Sequence, residues 1–314
     1  MPVDLSVIII SLNSRAFLRE CLASLAAADW RSYTHETIVV DNGSTDGTPA
    51  MLAEEFGDVR VCANAANVGY CRAGNQGARV AGGRYLLFLN DDTVILGDAL
   101  ARLIEWADAH PRVGMIGSRL LNSDGTDQFS SGRRFSTPAA AIFGRKSVLT
   151  RLFPNARWAR SYLMSHELHS YEPYEVDWLS AAAMVVTRPA FDAVGGLVED
   201  FYYFHEQVFC ARVKRAGWSI YLDPLSRIVH HEGVGSGVRT VRVRRRHIQA
   251  FHQAALRWFC LHHNIGRYSP VRLAAAGALY GRAFVLMALE SLKSDGSASA
   301  DQLRAGRPEG GVAL

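Results

Sequence analysis

The sequence predicts an α/β protein with a mainly parallel central sheet flanked by helices. Three observations lead to this fold class. Short apolar, β-branched runs alternate with segments of helical periodicity, which is typical of βαβ units. Polar loops follow the predicted strands directly, as they do at the ligand-binding edge of open α/β sheets. Hydrophobic residues make up 49% of the 314 residues, enough for a sizeable core.

The first 120 residues carry the clearest alternation. The continuous apolar run Leu5–Ser11 predicts a buried strand, and Ser14 is suited to cap the helix that follows. Further strands are predicted at 36–40, 59–63, 85–90 and 113–118. Helices are predicted from about 48, from 67 to 81 and from 97 to 109. Together these elements predict successive βαβ units.

The pattern is less regular in the second half. Residues 123–170 are predicted to form a long irregular connection, of a kind that is often functional. The apolar run 176–187 leads to a short helix that begins near Pro189. A helix through Cys210 and Val213, stopped by Gly217, is then followed by two short strands, 220–222 and 228–230.

The chain is predicted to end in two long helices, at about 241–263 and 270–292, and a disordered tail at 294–314. Arg272 and Arg282 interrupt the second helix, so its uncharged stretches are too short for a convincing membrane span. Its composition suits packing on the domain, an oligomer contact or the membrane interface.

Charge and cysteine content narrow the class of protein. A net charge of +4 does not by itself indicate a nucleic-acid binder. Five arginines between Arg239 and Arg246 form either a solvated helix face or a patch for phosphates or anionic lipid. The five cysteines are scattered and form no CxxC pair, which argues against a disulfide framework or structural zinc and fits a reducing cytoplasm. We expect no signal peptide.

The most informative stretch is the polar cluster Asn90, Asp91 and Asp92, which follows the buried strand ending at residue 90. Carboxylates at this edge of a sheet can hold a divalent cation, and the cation can hold a diphosphate. A simple polar turn is the alternative. Because Asp41 and Asn67 also follow predicted strands, we expect them to converge with Asp92 on one crevice.

The ordered set of motifs resembles glycosyltransferase family 2, the inverting enzymes with the GT-A fold, and is closest to bacterial rhamnosyltransferase-like members. The motifs are Ser6–Ile10 with Asn13, Val39–Gly47, Asn67–Gly69, Asn75–Gly77, Leu87–Asp92, Cys210–Arg212 with Gly217–Trp218, and His230–Gly233. The resemblance implies a GT-A domain at 1–265, with a nucleotide-binding half to about 120 and an acceptor half after it. A C-terminal helix at 266–293 and the tail complete the predicted organisation.

The resemblance also implies roles for single residues. Asp92 would contact Mg²⁺ or Mn²⁺, and His230 would be a second metal ligand, with His231 as the alternative. Asp91 would contact the sugar or ribose, and Asp41 the base. The nucleotide-binding residues implied in this way are Ser11, Asn13, Asp41, Asn67, Asn75 and Asp91.

In the family, the base that takes the acceptor proton is usually the second acid of a Glu-Asp pair before a helix with Cys-x-Arg. Here His205 stands in the place of the first acid and Glu206 in that of the second. Val208 and Val198 replace two frequent aspartates. Glu206 can still act as a base, and His205 could also accept a proton near neutral pH.

These motifs predict a metal-dependent glycosyltransferase that moves rhamnose or another hexose from a nucleotide-diphosphate sugar to a saccharide or lipid-linked glycan in cell-surface polysaccharide synthesis. We expect it in the cytoplasm, with a peripheral contact at the inner face of the membrane as a further option. A catalytically silent member that binds nucleotide-sugar is the alternative, favoured only by the altered segment 204–210. A nucleotidyltransferase is disfavoured, since Ser11–Arg15 is not a glycine-rich loop. The donor sugar, acceptor, linkage and oligomeric state stay open.

Overall fold

The computed structural model describes residues 2–128, 131–135, 167, 170–231 and 241–305, with side chains over 244–290 in the last range. The chain divides into two units, Met1–Gly235 and Ser236–Leu314. Most of the connection expected at 123–170 lies outside the described residues. So do 232–240 and 306–314.

Eleven strands and eight helices are assigned in the described residues. The strands are β1 (Leu5–Ser11), β2 (His35–Asp41), β3 (Arg60–Ala63), β4 (Tyr85–Asn90), β5 (Thr93–Ile95), β6 (Val113–Leu121), β7 (Gly132–Arg133), β8 (Tyr174–Glu175), β9 (Trp178–Leu179), β10 (Ala183–Thr187) and β11 (Ser219–His230). The helices are α1 (Arg15–Ala27), α2 (Thr48–Glu55), α3 (Tyr70–Val80), α4 (Ala99–Ala109), α5 (Arg188–Ala193), α6 (His205–Arg215), α7 (Val241–His262) and α8 (Pro270–Ala305).

The first unit is built on a nine-stranded sheet in the order β3-β2-β1-β4-β10-β6-β11-β5, with β8 also paired to β11. Strands β3, β2, β1 and β4 are parallel to one another, and so are β6 and β11. Strand β10 runs antiparallel between β4 and β6. The predicted α/β class with helices around a central sheet is confirmed, and the sheet is parallel in its first half and mixed in its second.

Helices cover both faces of this sheet because successive side chains of a strand point to opposite faces. On β1, Val7 and Ile9 are fully buried in a core shared with α1 and α4. The intervening Ile8 is fully buried in the other core, with residues of α3, α5 and α6. The uninterrupted apolar run at Leu5–Ser11 therefore reflects a strand that is covered on both sides.

Some boundaries differ from those predicted. The two short strands expected at 220–222 and 228–230 are one strand, β11, with a register shift against β6 between Asp223 and Arg227. Ser14 precedes α1, but its side chain makes no capping hydrogen bond. The last helix, α8, continues to Ala305, so helical structure covers the first part of the stretch expected to be disordered.

The second unit contains α7 and α8. Within the described residues, one segment is long and apolar enough to cross a membrane by length and composition alone. It is Pro270–Glu290 in α8, with a mean hydropathy of 1.4. The predicted domain boundaries and the tail after 305 stay predictions.

Candidate active site at the carboxyl edge of the sheet

Strand register brings the predicted site residues of three strands to one edge. Ser11 of β1 lies opposite Asp41 of β2, and Ile10 lies opposite Asn90 of β4. The carboxyl ends of β1 and β4 border a cavity of about 270 Å³. Its lining residues are Ile10, Ser11, Leu12, Asn13, Ser14, Phe17, Asn90, Asp91 and Asp92.

Asp92 and His230 meet at this edge. Strand β11 pairs antiparallel with β5, and this pairing places His230 opposite Thr93. His230 Nε2 lies 3.3 Å from Asp92 Oδ1 and 3.3 Å from Asn90 Nδ2. Asp92 Oδ1 is buried and accepts no hydrogen bond. A buried carboxylate oxygen facing an imidazole nitrogen is a fitting pair of ligands for a divalent cation.

Gln128 holds the ring of His230 from the other side. His230 Nδ1 lies 2.9 Å from Gln128 Oε1, and Gln128 Nε2 donates to the His230 carbonyl over 2.6 Å. An amide oxygen can only accept, so this contact favours the tautomer with its proton on Nδ1. The lone pair of Nε2 then faces Asp92. Partners of this kind fix the orientation of metal-binding histidines.

His231 points to a different set of groups. Its Nδ1 lies 2.7 Å from Ser123 Oγ, its ring contacts Phe17, and its Nε2 lies 3.7 Å from a Glu20 oxygen. Only its backbone N–H reaches Asp92, donating to the carbonyl oxygen over 2.9 Å. Of the two histidines left open by the sequence, His230 is the one whose ring faces the Asp92 carboxylate.

Asp91 lines the same cavity as Asp92. Burial, together with the charge of the neighbouring Asp92, raises the pKa of Asp91 to about 6. Ser14, which was expected to cap α1, lines the same cavity as Asp91. A carboxyl group in this setting can donate or accept a hydrogen bond near neutral pH.

Asp41 is the last residue of β2, next to Ser11 of β1. It is buried, and the Ser44 N–H lies 3.3 Å from its Oδ1. Asn13, which has a positive φ of 52°, accepts a hydrogen bond from the Thr45 N–H over 2.7 Å. The Asn13 side chain thus shapes the loop after β2.

Asparagine and glutamine side chains bind one another beside Asp41. Asn42 Nδ2 donates to Asn67 Oδ1 over 3.1 Å, and Asn64 Nδ2 donates to Gln76 Oε1 over 2.8 Å. Asn67 Oδ1 also accepts from the Gly69 N–H, so it fixes the turn into α3. These contacts preorganise the loops next to the cavity.

The Asn75 side chain binds the loop that follows α5. Its Oδ1 accepts from the Leu197 N–H over 2.9 Å, and its Nδ2 donates to the Leu197 carbonyl over 2.9 Å and to Glu199. The amide thus fastens the loop that follows α5. The implied contact of Asn75 with nucleotide stays a prediction.

Glu206 and His205 occupy the first turn of α6, with His205 Nδ1 and Glu206 Oε2 3.4 Å apart. The residue before them, Phe204, has a positive φ of 65°. A bulky side chain rarely adopts this backbone conformation, and such strain is found at functional sites. The helix start is therefore held in place by its surroundings.

Tyr70, at the start of α3, links the two acidic regions. Its hydroxyl donates to the Ala181 carbonyl over 3.0 Å, and its ring centroid lies 5.0 Å from that of His205. Burial raises the pKa of Tyr70, with smaller contributions from the charges of Cys71, Glu206 and Asp91. The negative charges of the Glu206 and Asp91 carboxylates thus both contribute to the raised pKa of Tyr70.

Sequence reasoning missed Gln128, Tyr70 and the place of Ser14 in the cavity lining. No local signal pointed to Gln128, which lies 102 positions from His230. Among the described residues, no group of three or more His, Cys, Asp or Glu side chains could hold a metal ion. A cation at Asp92 and His230 would take its other ligands from substrate and water.

Comparisons with known proteins identify the family of the chain. The family model of glycosyl transferase family 2 matches residues 6–167. The chain is 29% identical over 295 residues to the N-acetylglucosaminyl-diphospho-decaprenol L-rhamnosyltransferase of Mycobacterium tuberculosis, covering 90% of this chain and 92% of that protein. It is 23% identical over 236 residues to a low-salt glycan biosynthesis hexosyltransferase of Haloferax volcanii, covering 74% and 68%.

Solved structures show the same fold. A mannosyltransferase of Pyrobaculum calidifontis in complex with GDP-Man and Mn²⁺ superposes with a TM-score of 0.56 at 18% identity, over 96% of this chain and 81% of that chain. GalNAc-T7 with UDP, GalNAc and Mn²⁺ gives a TM-score of 0.54 at 16% identity, over 79% and 47%. Both are GT-A glycosyltransferases, so the expected GT-A fold is confirmed.

Proposed function

The chain belongs to glycosyl transferase family 2, and from that premise we propose that it is an inverting, metal-dependent glycosyltransferase. It would transfer rhamnose or another hexose from a nucleotide-diphosphate sugar to a hydroxyl of a saccharide or lipid-linked glycan. The meeting of Asp92 and His230 at the sheet edge carries the proposal. The relative of this chain in Mycobacterium tuberculosis supports the choice of donor and acceptor. That protein is named an N-acetylglucosaminyl-diphospho-decaprenol L-rhamnosyltransferase.

The residues at the edge fit Mg²⁺ or Mn²⁺. Asp92 Oδ1 is buried without a hydrogen bond, and the Nε2 of His230 is turned toward it by Gln128. Two protein ligands leave most of the coordination shell to the diphosphate and water, which is how Mg²⁺ is usually held at phosphate-transfer sites. When bound, the cation would neutralise charge on the departing diphosphate.

The chain's own residues would do the rest. Asp41, at the buried end of β2, would accept a hydrogen bond from the base. Asp91 would bind a ribose or sugar hydroxyl, since its raised pKa of about 6 suits either role in a hydrogen bond. The asparagine and glutamine contacts beside Asp41 would hold the loops after β2 and β3 in place. This would reduce the conformational entropy lost when the nucleotide binds.

Glu206 would take the proton of the acceptor hydroxyl as that oxygen attacks the anomeric carbon from the face opposite the diphosphate. Its position in the first turn of α6, ahead of Cys210 and Arg212 on the same helix, supports this role. Proton removal in the transition state makes the hydroxyl a better nucleophile. We propose cytoplasmic action at the inner face of the membrane, in cell-surface polysaccharide synthesis.

The first test measures nucleotide and metal binding by calorimetry, together with transfer from several nucleotide-sugars. Asp41→Ala should weaken nucleoside diphosphate with or without Mn²⁺, because it removes a contact to the base. Asp92→Ala should abolish only the increase in nucleotide affinity that Mn²⁺ causes. Transfer in the wild type should be lost in EDTA and restored by Mn²⁺.

A second variant and a control sharpen this test. Gln128→Leu should weaken Mn²⁺ binding about 10- to 100-fold without removing a ligand, the usual effect of losing such a supporting contact. Asp58→Ala, at an exposed aspartate, should change nothing. Equal nucleotide affinity in the wild type and in the Asp41 and Asp92 variants would sink the site assignment.

A further inference from the structure

Positive charge is concentrated in the second unit. Residues 241–289 contain eight arginines and no lysine, aspartate or glutamate. The rest of the chain carries 26 Lys and Arg against 30 Asp and Glu, since the totals are 34 and 30. The two helices are therefore cationic on a chain that is otherwise slightly acidic. Basic segments of this kind are attracted to anionic lipid surfaces.

The outer face of α8 is apolar. Leu273, Tyr280 and Phe284 recur at helical spacing and are 69%, 45% and 71% exposed. Val285 and Leu289 widen this face, at 55% and 49% exposed. Only 6% of the most apolar window of this helix is buried. An apolar face of this extent on a soluble helix indicates a binding surface.

The arginines of α8 lie off this face. Arg272 and Arg282 are half-buried, on the side of the helix away from Phe284. Arg272 lines a cavity of about 510 Å³ between α7 and α8, together with Arg257 and apolar side chains of α7. Two guanidinium groups in a cavity that also has apolar lining residues can bind a phosphate that is attached to a hydrocarbon chain.

The loop between the helices has the composition of an interfacial anchor. Tyr268 is 87% exposed, and the Arg267 guanidinium lies 5.8 Å from its ring centroid. Aromatic and arginine side chains together suit the boundary between lipid headgroups and acyl chains.

We propose that α7 and α8 dock on an anionic lipid bilayer, with the outer face of α8 in the interface and a lipid phosphate at Arg257 and Arg272. The helix lies along the bilayer rather than across it, because Arg282 is near the middle of the apolar segment Pro270–Glu290 and would be buried in hydrocarbon by a spanning helix. The inference rests on the proposed function in one respect and deepens it there. It names the surface that would present a lipid-linked acceptor to the transferase.

The test is co-sedimentation of the full chain with vesicles, without donor or metal, so that it can fail independently of the transferase assay. Vesicles of phosphatidylcholine with phosphatidylglycerol should bind the protein, and vesicles of phosphatidylcholine alone should bind it much less. Binding to the anionic vesicles should weaken as salt rises, because salt screens charges at the surface.

Two variants separate the contributions of charge and apolar contact. Arg257→Gln with Arg272→Gln should weaken binding about 25-fold, at about fivefold for each basic side chain at the surface. Leu273→Gln with Phe284→Gln should abolish stable binding even at low salt. Arg79→Gln with Arg112→Gln is the matched control, since it removes the same charge from the first unit and should leave binding unchanged.

Three outcomes would overturn the proposal. Equal binding to neutral and anionic vesicles removes the role of charge. Loss of vesicle binding in millimolar inorganic phosphate, at constant ionic strength, would assign the arginine cavity to a soluble phosphate. A wild-type dimer that becomes monomeric in the Leu273 and Phe284 variant, with no vesicle binding, would assign the apolar face to a second copy of the chain.

Discussion

At the scale of single residues, Glu206 is held by the turn that starts α6. Phe204 adopts a left-handed backbone conformation, with φ 65°, and the next two residues begin the helix. His205 Nδ1 is 3.4 Å from the Glu206 carboxylate, so either side chain could accept a proton at this place. The choice between them can be made by experiment.

Glu206→Gln keeps the shape of the side chain and removes its basicity. Transfer should fall by about two to four orders of magnitude, the usual contribution of general-base catalysis, while donor binding stays nearly intact. His205→Ala should cost much less. Turnover is measured with saturating donor, and donor affinity by calorimetry. Near-wild-type transfer by Glu206→Gln, with loss in His205→Ala, would assign the base to His205.

The sequence could identify residues whose neighbours in space are also neighbours along the chain. Asp91 and Asp92 directly follow a buried strand, so their place at the sheet edge follows from the strand alone. Gln128 cannot be found in this way, because its contact with His230 depends on how β6 and β11 pair. Ser14 was misread for a similar reason. Its predicted role used only the helix after it, whereas Ser14 makes no capping hydrogen bond and lines the cavity at the sheet edge.

At the scale of elements, α3 packs unusually close to β1 and β2. Gly77 in α3 sits against the sheet, and a Cβ there would lie 2.5 Å from Ile8 Cγ2 and 3.2 Å from Val40 Cγ2. Both neighbours are fully buried. The helix can pack this tightly only because residue 77 has no side chain.

Gly77→Ala should therefore destabilise the protein by about 1–3 kcal/mol, the usual cost of overpacking, although alanine is the better helix former. Gly57→Ala is the control, since nothing lies within 4 Å of its Cβ position. Urea denaturation of both variants measures the free energy of unfolding. A Gly77→Ala protein as stable as the control would show that α3 can move away from β1 at no cost.

Elements with their own local signal were predicted well, and pairing was not. The parallel strands β1 and β4 are each a buried apolar run followed by a polar loop. That β10 enters the sheet antiparallel has no local signature, because a strand buried on both faces reads alike in either direction. The single strand β11 was read as two because its register shifts between Asp223 and Arg227.

At the scale of the whole molecule, the two units carry different chemistry. The proposed nucleotide and metal residues all lie within Met1–Gly235, and the cationic helices lie within Ser236–Leu314. The sequence could predict the arginine cluster of the second unit, but not the groups that its arginines contact. Arg244 of that cluster lies 3.4 Å from Glu290 of α8, which makes it part of the contact between the two helices.

This division predicts how ligands change stability. Nucleoside diphosphate with Mn²⁺ at 100 times its Kd should stabilise the fold by about 2.7 kcal/mol, because it binds only folded protein. For a unit of this size, that raises Tm by roughly 5–11 °C. EDTA should remove the metal-dependent part of the shift. The Asp92→Ala variant should lack the metal-dependent part of the Tm shift, so EDTA should not change its Tm. The Asp58→Ala variant should behave as the wild type. A full shift in EDTA would mean that the nucleotide binds without a cation at Asp92 and His230.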